Sequence, residues 1–133
     1  MITPTEIRIG NYIQQKIHTR ILPVTATAAH FHLIETGGGK DLYPVTLKAD
    51  ILEKAKFTEN KDYPLLPDAR EFILLVPVQA SSNVQLRCYI KSNKECFGRA
   101  FVNDIPASNT VHQLHELQNL YYGLTGEELP VTL

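Results

Sequence analysis

The N-terminal third of the chain alternates hydrophobic and polar positions as β-strands do. Residues 7–17 (IRIGNYIQQKI) follow this two-residue period, and Gly10 interrupts it as glycine does at a bulge. Residues 20–28 and 30–36 continue with Val, Thr, Ile and Phe, which strands favour. The pattern predicts an antiparallel sheet of about three strands, followed by a flexible glycine turn at residues 37–39.

The spacing of apolar residues then changes to that of a short amphipathic helix. Leu47, Ile51 and Ala55 recur at helical intervals, and Thr46 precedes them as an N-cap residue would. The stretch 60–69 contains two prolines and several turn-forming residues, which indicates a connection. This connection is the predicted boundary if the molecule consists of two halves.

Three β-rich runs follow the connection. EFILLVPV, VQLRCYIK and CFGRAFVN are separated by segments of hairpin length. In the middle run Arg87, Tyr89 and Lys91 alternate with apolar residues and face the opposite side of the strand. This alternation predicts the half-buried central strand of an antiparallel meander.

A second helix is predicted near the end of the sequence. Thr110 and Gln113 have the spacing of a capping box at its start, and Gly126 is placed to end it. Its apolar residues cover nearly half of a helical wheel, which favours a helix packed between both halves of the molecule. The order of elements predicts an α+β fold, with a small N-terminal antiparallel β-sheet plus helix and then a three-stranded antiparallel meander packed by the C-terminal helix.

The composition is that of a globular protein. Of the 133 residues 44% are hydrophobic and 20% charged, which predicts a single domain over residues 1–133, with 1–60 and 66–133 as its subdivision. Thirteen basic and fourteen acidic residues give a net charge of -1, which disfavours nucleic acid as a partner. The apolar run 72–78 is far shorter than the roughly 20 residues that span a bilayer. Because no secretory signal is recognised, the predicted location is the cytoplasm.

The last helix brings several polar residues together. His115, Glu116 and Asn119 fall on the side of the wheel opposite its leucines, with Tyr122 at the rim and His112 nearby. The plainest interpretation is the solvated face of a helix. Such a surface also offers hydrogen bonds and apolar area to a macromolecule, and His115, Glu116, Asn119 and Tyr122 are the predicted partner contacts.

A metal site is a third interpretation of the same turn. His112, His115 and Glu116 could reach one ion, but the order H-x-x-H-E matches neither H-E-x-x-H nor H-x-x-E-H. A further ligand would have to come from elsewhere, and His30 and His32, alternating along a predicted strand, are merely available. No metal ligand and no cofactor is predicted.

The basic residues Arg87, Lys91 and Arg99 are candidates for a different kind of site. Guanidinium and ammonium groups bind phosphate, so these residues would suit a nucleotide-like ligand in a cleft between the halves or at a dimer interface. The glycine run GGGKD lacks the spacing and the hydroxyl residue of a phosphate-binding loop, and no nucleophile elbow occurs. No catalytic residue is predicted.

Three segments resemble a known family. TEIRIGNYIQ (5–14), LYPVTLKADILEKAKF (42–57) and HELQNLYYGLTGEEL (115–129) are similar to the opening, middle and closing patterns of a family of small proteins that recur in Bacteroidetes genomes, often in prophages and mobile elements. The resemblance implies a phage or mobile-element context. It supplies no activity, cofactor or catalytic residue.

These observations favour a non-enzymatic accessory protein of phage or mobile-element type that binds a host or phage macromolecule, with a protein as the expected partner. Small-ligand binding or sequestration of a nucleotide-like compound is the first alternative. A metal-dependent hydrolase is the second. No membrane association is predicted, and the sequence leaves homo-oligomerisation open.

Overall fold

The computed structural model describes residues 2–62, 66, 68–78 and 83–133. The strands in these ranges are β1 (Tyr12–Ile17), β2 (Arg20–Thr25), β3 (Leu42–Pro44), β4 (Thr58–Asn60), β5 (Ala69–Leu75), β6 (Val84–Lys91), β7 (Cys96–Val102) and β8 (Ile105–Pro106). The α-helices are α1 (Ala28–Glu35), α2 (Ala49–Lys54) and α3 (Leu114–Thr125), and a 3-10 turn (Gly38–Asp41) follows α1. None of these helices is long and apolar enough to cross a membrane.

The strands form two antiparallel sheets. One has the order β2-β1-β3, and the other is a meander with the order β4-β5-β6-β7-β8. The predicted α+β class is confirmed, and the three runs predicted as a meander are β5, β6 and β7. The second sheet has five strands rather than three, because β4 pairs with β5 on one edge and the two-residue β8 pairs with β7 on the other.

The prediction that residues 30–36 form the third strand of the N-terminal sheet is wrong. Residues 30–36 belong to α1 and its C-cap, and β3 completes the sheet by pairing with β1. The helix begins after Thr27, whose backbone N–H donates to the His30 ring at 2.9 Å. Phe31 and Ile34 then pack on the same core, because residues three apart share one face of a helix.

The start of α3 differs from its predicted cap. Val111 forms an antiparallel bridge with Gly98, which holds the chain extended up to Gln113, the N-cap residue. The predicted capping box that begins at Thr110 is therefore wrong, and a long-range pairing is the physical reason. The predicted end of α3 at Gly126 is confirmed, because Gly126 has a φ of 73°.

The helix α2 also begins later than predicted. Thr46 forms an antiparallel bridge with Gln113 instead of capping the helix. The predicted apolar side is confirmed, because Leu47, Ile51 and Ala55 are all buried. The spacing of apolar residues therefore identified the helix, while its first residue depends on a distant segment.

The molecule has two hydrophobic cores. The first lies between the three-stranded sheet, α1 and the N-terminal segment, and its buried residues are Ile2, Ile7, Ile13, Ala26 and Leu42. The second lies between the inner face of the five-stranded sheet and the helices α2 and α3. Because α2 packs in the second core, the buried residues of that core begin at Val45, and Tyr12 of β1 also packs against it.

Candidate functional site

The first turn of α3 is held by Glu116. Its Oε1 atom accepts the backbone N–H of His112 at 3.1 Å and that of Gln113 at 3.0 Å. His112 precedes the helix and is exposed. The expectation that His112, His115 and Glu116 crowd one helical turn is therefore wrong, because α3 begins only after Gln113.

His115 lies inside the protein. Only 2% of the residue is exposed, whereas the helical wheel placed it on a solvated face. Neither ring nitrogen has a hydrogen-bond partner among the described residues. Burial lowers the pKa of His115, and the nearby carboxylates of Glu116 and Glu6 oppose that shift.

The side of α3 that was expected to face solvent is instead covered by the N-terminal segment. Asn119 Oδ1 accepts hydrogen bonds from Asn11 Nδ2 at 2.8 Å and from Arg8 Nε at 3.2 Å. Asn119 Nδ2 donates to the Glu6 carbonyl at 3.3 Å. Gln118, also buried, accepts the backbone N–H of the first residue of β1 at 2.7 Å. These contacts confirm that α3 packs between the two halves.

Arg8 also contacts two residues near the C-terminal end of α3. The Arg8 guanidinium pairs with Glu128 through both carboxylate oxygens, one of them at 3.0 Å, and its central carbon lies 4.1 Å from the centre of the Tyr122 ring. The pair raises the pKa of Arg8 and lowers the pKa of Glu128. Tyr122 is 42% exposed. Of the four predicted contact residues on α3, only Tyr122 is therefore clearly open to solvent.

The metal interpretation finds no geometric support in the described part of the chain. No group of three or more His, Cys, Asp or Glu side chains there is placed to hold a metal ion. His30 and His32 belong to α1, where His30 accepts the capping hydrogen bond and also lies 3.2 Å from Gln15 Oε1.

The basic residues Arg87, Lys91 and Arg99 share the outer face of the five-stranded sheet. Arg87 on β6 is directly opposite Arg99 on β7, and Lys91 follows on the same face of β6. The helices α2 and α3 pack on the inner face, and α1 packs on the other sheet. Within the described ranges, the outer face therefore carries no helix.

The two opposed arginines have different surroundings. The Arg87 guanidinium lies 4.4 Å from the centre of the Phe101 ring, donates to Gln85 Oε1 at 2.8 Å and forms an ion pair with Asp104. The Arg99 guanidinium donates twice to the Ser108 carbonyl, at 2.8 and 3.1 Å. Among the described residues no carboxylate pairs with Arg99, so its charge is not neutralised locally.

Aromatic rings lie between these basic groups. The centres of the Tyr89 and Phe97 rings are 5.4 Å apart, and Lys91 Nζ lies 5.5 Å from the centre of Phe97. Burial, and then the neighbouring Glu71 carboxylate, raise the pKa of Tyr89. Phe97 and Phe101 were not among the predicted site residues. The sequence could have indicated them, because the two-residue alternation within CFGRAFVN places both rings on the same face as Arg99.

Comparisons of the chain with protein-family models, with curated proteins and with solved structures gave no match. The surfaces of the molecule are therefore the basis for a functional proposal.

Proposed function

We propose that this chain is a non-enzymatic accessory protein that binds a host or phage macromolecule in the cytoplasm, and that it does so through the outer face of the five-stranded sheet. The observation that carries the proposal is the pair Arg87 and Arg99, directly opposite one another among aromatic rings on a face where the described residues form no helix. The polar side of α3 was the expected contact surface. Its hydrogen bonds to the N-terminal segment support placing the contact on the sheet instead.

The charges on this face favour a partner with carboxylate groups. Like charges directly opposite one another destabilise a sheet unless something compensates them. Asp104 compensates Arg87, while Arg99 lacks a carboxylate in the described residues. A guanidinium binds a carboxylate through two parallel hydrogen bonds, so an acidic side chain of a partner would complete the arrangement.

The shape and chemistry of the face suit a protein surface. Leu75 is 68% exposed at one end of the face, and Phe97 is half-buried near the other. Aromatic residues and arginine are enriched in the centres of protein interfaces, where they contribute most of the binding energy. Small ligands, in contrast, bind in concave pockets. The Tyr89 and Phe101 rings of this face are already buried by their neighbours, so Leu75, Phe97 and the two arginines would make the contact.

Site-specific photo-crosslinking tests the proposal. A benzophenone amino acid replaces Phe97, or Lys16 on the exposed part of β1 as the matched control, in protein expressed in the source cells. We expect a discrete protein adduct from position 97 only. Arg99→Glu should abolish that adduct, whereas Lys16→Glu, which makes the same change of charge on the other sheet, should leave it intact.

Two results would contradict the proposal. Equal adducts from positions 97 and 16 would show non-specific contact. An adduct from position 97 that persists in the Arg99→Glu variant would show that the arginine face does not bind the partner.

The second candidate function is binding of a nucleotide-like ligand. It is favoured by the placement of Arg87, Lys91 and Arg99 on one face, since these were the predicted phosphate contacts. Gently purified protein should then release an ultraviolet-absorbing compound on denaturation, and Arg99→Ala protein should release none. No observation favours the metal-dependent hydrolase.

A further inference from the structure

The hairpin formed by β1 and β2 extends beyond the rest of its sheet. β3 pairs with β1 only from Ile13 to Gln15, so the remainder of the hairpin has two strands. Residues 16–23, here called the hairpin tip, are all exposed and form the longest uninterrupted run of exposed positions in the described part of the chain. None of these residues belongs to the first core. Packing within the molecule therefore does not explain the side chains of the tip.

Three large aliphatic residues lie on the hairpin tip. Ile17, Ile21 and Leu22 are 42%, 53% and 38% exposed. Nine large hydrophobic residues are exposed in the described ranges, and three of them fall within residues 17–22. Single exposed apolar residues are common on protein surfaces, whereas a group of them usually marks a contact surface.

The strand register places aliphatic residues on both faces of the tip. Ile21 is directly opposite Lys16 on one face, and Ile17 is directly opposite Arg20 on the other. Leu22 lies on the same face as Arg20, two positions further along β2. Each isoleucine therefore has a basic side chain across from it.

The hairpin tip is positively charged. Neither Lys16 nor Arg20 forms an ion pair with another described residue. No acidic residue occurs in the sequence between Glu6 and Glu35. The whole chain has a net charge of -1, so this positive charge is a local feature. The charge favours an anionic partner, and that partner must also accept aliphatic side chains on two faces.

We propose that the hairpin tip docks on the surface of a lipid bilayer that contains anionic lipids. Binding at such a surface combines burial of aliphatic side chains below the headgroups with attraction of basic residues to the lipid charges. The carbon chains of Lys16 and Arg20 can lie beside the isoleucines while their charged ends reach the headgroups. A fluid lipid layer surrounds an inserted tip, so it contacts Ile17 and Ile21 on opposite faces at the same time.

This contact is distinct from both the membrane prediction and the proposed protein contact. The sequence predicted no membrane association, and its longest apolar run is too short to span a bilayer. A hairpin that binds at the bilayer surface needs no such run. The tip is also separate from the outer face of the five-stranded sheet, since β1 and β2 belong to the other sheet.

Two other partners fit the tip less well. Proteins that bind single-stranded nucleic acid stack bases on aromatic rings, and the tip has aliphatic residues instead. A second copy of the chain could add a strand to β2, which lies at the edge of its sheet. Pro23 disfavours this pairing, because it has no N–H to donate to a further strand.

Flotation of the full chain with lipid vesicles tests the proposal. We expect the protein to float with vesicles of phosphatidylcholine and phosphatidylglycerol, and not with vesicles of phosphatidylcholine alone. High salt should weaken the binding, because it screens the attraction between exposed charges. Absence of flotation with the anionic vesicles, or equal flotation with both kinds, would overturn the proposal.

Replacement of the exposed isoleucines tests the apolar part of the contact. The double variant Ile17→Ser and Ile21→Ser should bind anionic vesicles roughly tenfold more weakly or worse, because it removes apolar area that the lipid would bury. Ile105→Ser is the control, since Ile105 is 67% exposed on the other sheet and should be dispensable for binding. Wild-type affinity of the double variant would overturn the proposal.

Replacement of the basic residues tests the charged part. The double variant Lys16→Gln and Arg20→Gln should also weaken binding roughly tenfold or more. Lys48→Gln with Lys54→Gln makes the same change of charge at exposed positions around α2 and should alter the affinity by less than about twofold. Equal losses in the two double variants would show that only the total charge matters, and would overturn the proposal.

Tryptophan fluorescence shows whether the tip enters the bilayer. The chain has no tryptophan, so Ile21→Trp and Ile105→Trp each introduce a single reporter. Anionic vesicles should shift the emission of the first to shorter wavelength and leave that of the second unchanged. A shift at position 105 alone, or at neither position, would show that the tip does not insert and would overturn the proposal.

The two other partners have outcomes of their own. Saturable binding of a DNA duplex without flotation, lost in the Lys16→Gln and Arg20→Gln variant, would identify the tip as a nucleic-acid contact. A dimer in sedimentation without flotation, dissociated by Ile17→Ser and Ile21→Ser, would show that the tip contacts a second copy of the chain. Either result would overturn the assignment to a lipid surface.

Discussion

At the scale of single residues, His115 links stability to pH. Its pKa is lowered from 6.5 in the folded protein because the ring is buried. The unfolded chain therefore binds a proton at a higher pH than the folded one, and the free energy of unfolding decreases as the pH falls below 6.5. The loss continues until the pH has passed through the lowered pKa.

A substitution measures this effect. We expect the melting temperature of wild-type protein to fall more steeply from about pH 7 to about pH 5 than that of His115→Leu, which fills a similar volume and does not titrate. His112→Leu is the control, because His112 is exposed and should leave the wild-type slope intact. Parallel curves for the wild type and His115→Leu would contradict the assignment.

Gly98 occupies a position where a side chain has no space. A Cβ atom there would lie 2.6 Å from Cys88 Sγ and 3.3 Å from the backbone oxygen of Arg87. We expect Gly98→Ala to lower the free energy of unfolding by about 1 to 3 kcal/mol, the usual cost of overpacking, in urea denaturation.

Gly123 provides the matched comparison within α3. Nothing lies within 4 Å of a Cβ atom built at Gly123, so Gly123→Ala should stabilise the protein by roughly 0.5 to 1 kcal/mol through helix propensity. Cys88→Ala in the Gly98→Ala background should recover part of the loss, because it removes the nearest atom. If Gly98→Ala were neutral, β6 and β7 would have to be further apart than the structure has them.

At the scale of the elements, Asn119 attaches α3 to the N-terminal segment. Three hydrogen bonds join its amide to Arg8, Asn11 and the Glu6 carbonyl, and Asn11 is completely buried. Asn119→Ala removes all three bonds and leaves the buried Nδ2 of Asn11 without its partner, so we expect it to cost about 1 to 3 kcal/mol in urea denaturation. Asn109→Ala, at an exposed position before α3, should change stability by less than about 0.5 kcal/mol.

The elements also show what a sequence pattern can and cannot predict. Leu47, Ile51 and Ala55 identified α2 correctly, because helical spacing is a local property. Phe31 and Ile34 were predicted to lie in a strand because their residue types favour strands. They belong to α1 instead, where both side chains pack on the first core.

Long-range contacts explain the errors at the candidate site. The helical wheel predicted that His115 faces solvent because it uses only the sequence of α3. It does not include the N-terminal segment that covers this side of the helix. The alternation in β6 correctly put Arg87 and Lys91 on one face. The pairing of Arg87 with Arg99 needs the register between β6 and β7, which one strand alone does not define.

At the scale of the whole molecule, α3 contacts both the second core and the N-terminal segment of the first, which predicts that the two cores unfold as one cooperative unit. Leu114 and Leu117 pack in the second core, while Gln118 and Asn119 bind the N-terminal segment. We expect a tryptophan at Tyr43, on the three-stranded sheet, and one at Phe97, on the five-stranded sheet, to report the same urea midpoint. Separate midpoints would show that the cores unfold independently.

The Arg8–Glu128 pair also affects the order of events during synthesis. Its two residues are 120 positions apart, so the N-terminal segment meets its partner only after residue 128 has left the ribosome. Until then Arg8 and Asn11 lack the partners that hold the N-terminal segment, so this segment and its apolar residues are not yet fixed in place. The N-terminal segment therefore reaches its final contacts late in synthesis, and the interval before residue 128 emerges is the period in which a chaperone would have most to bind.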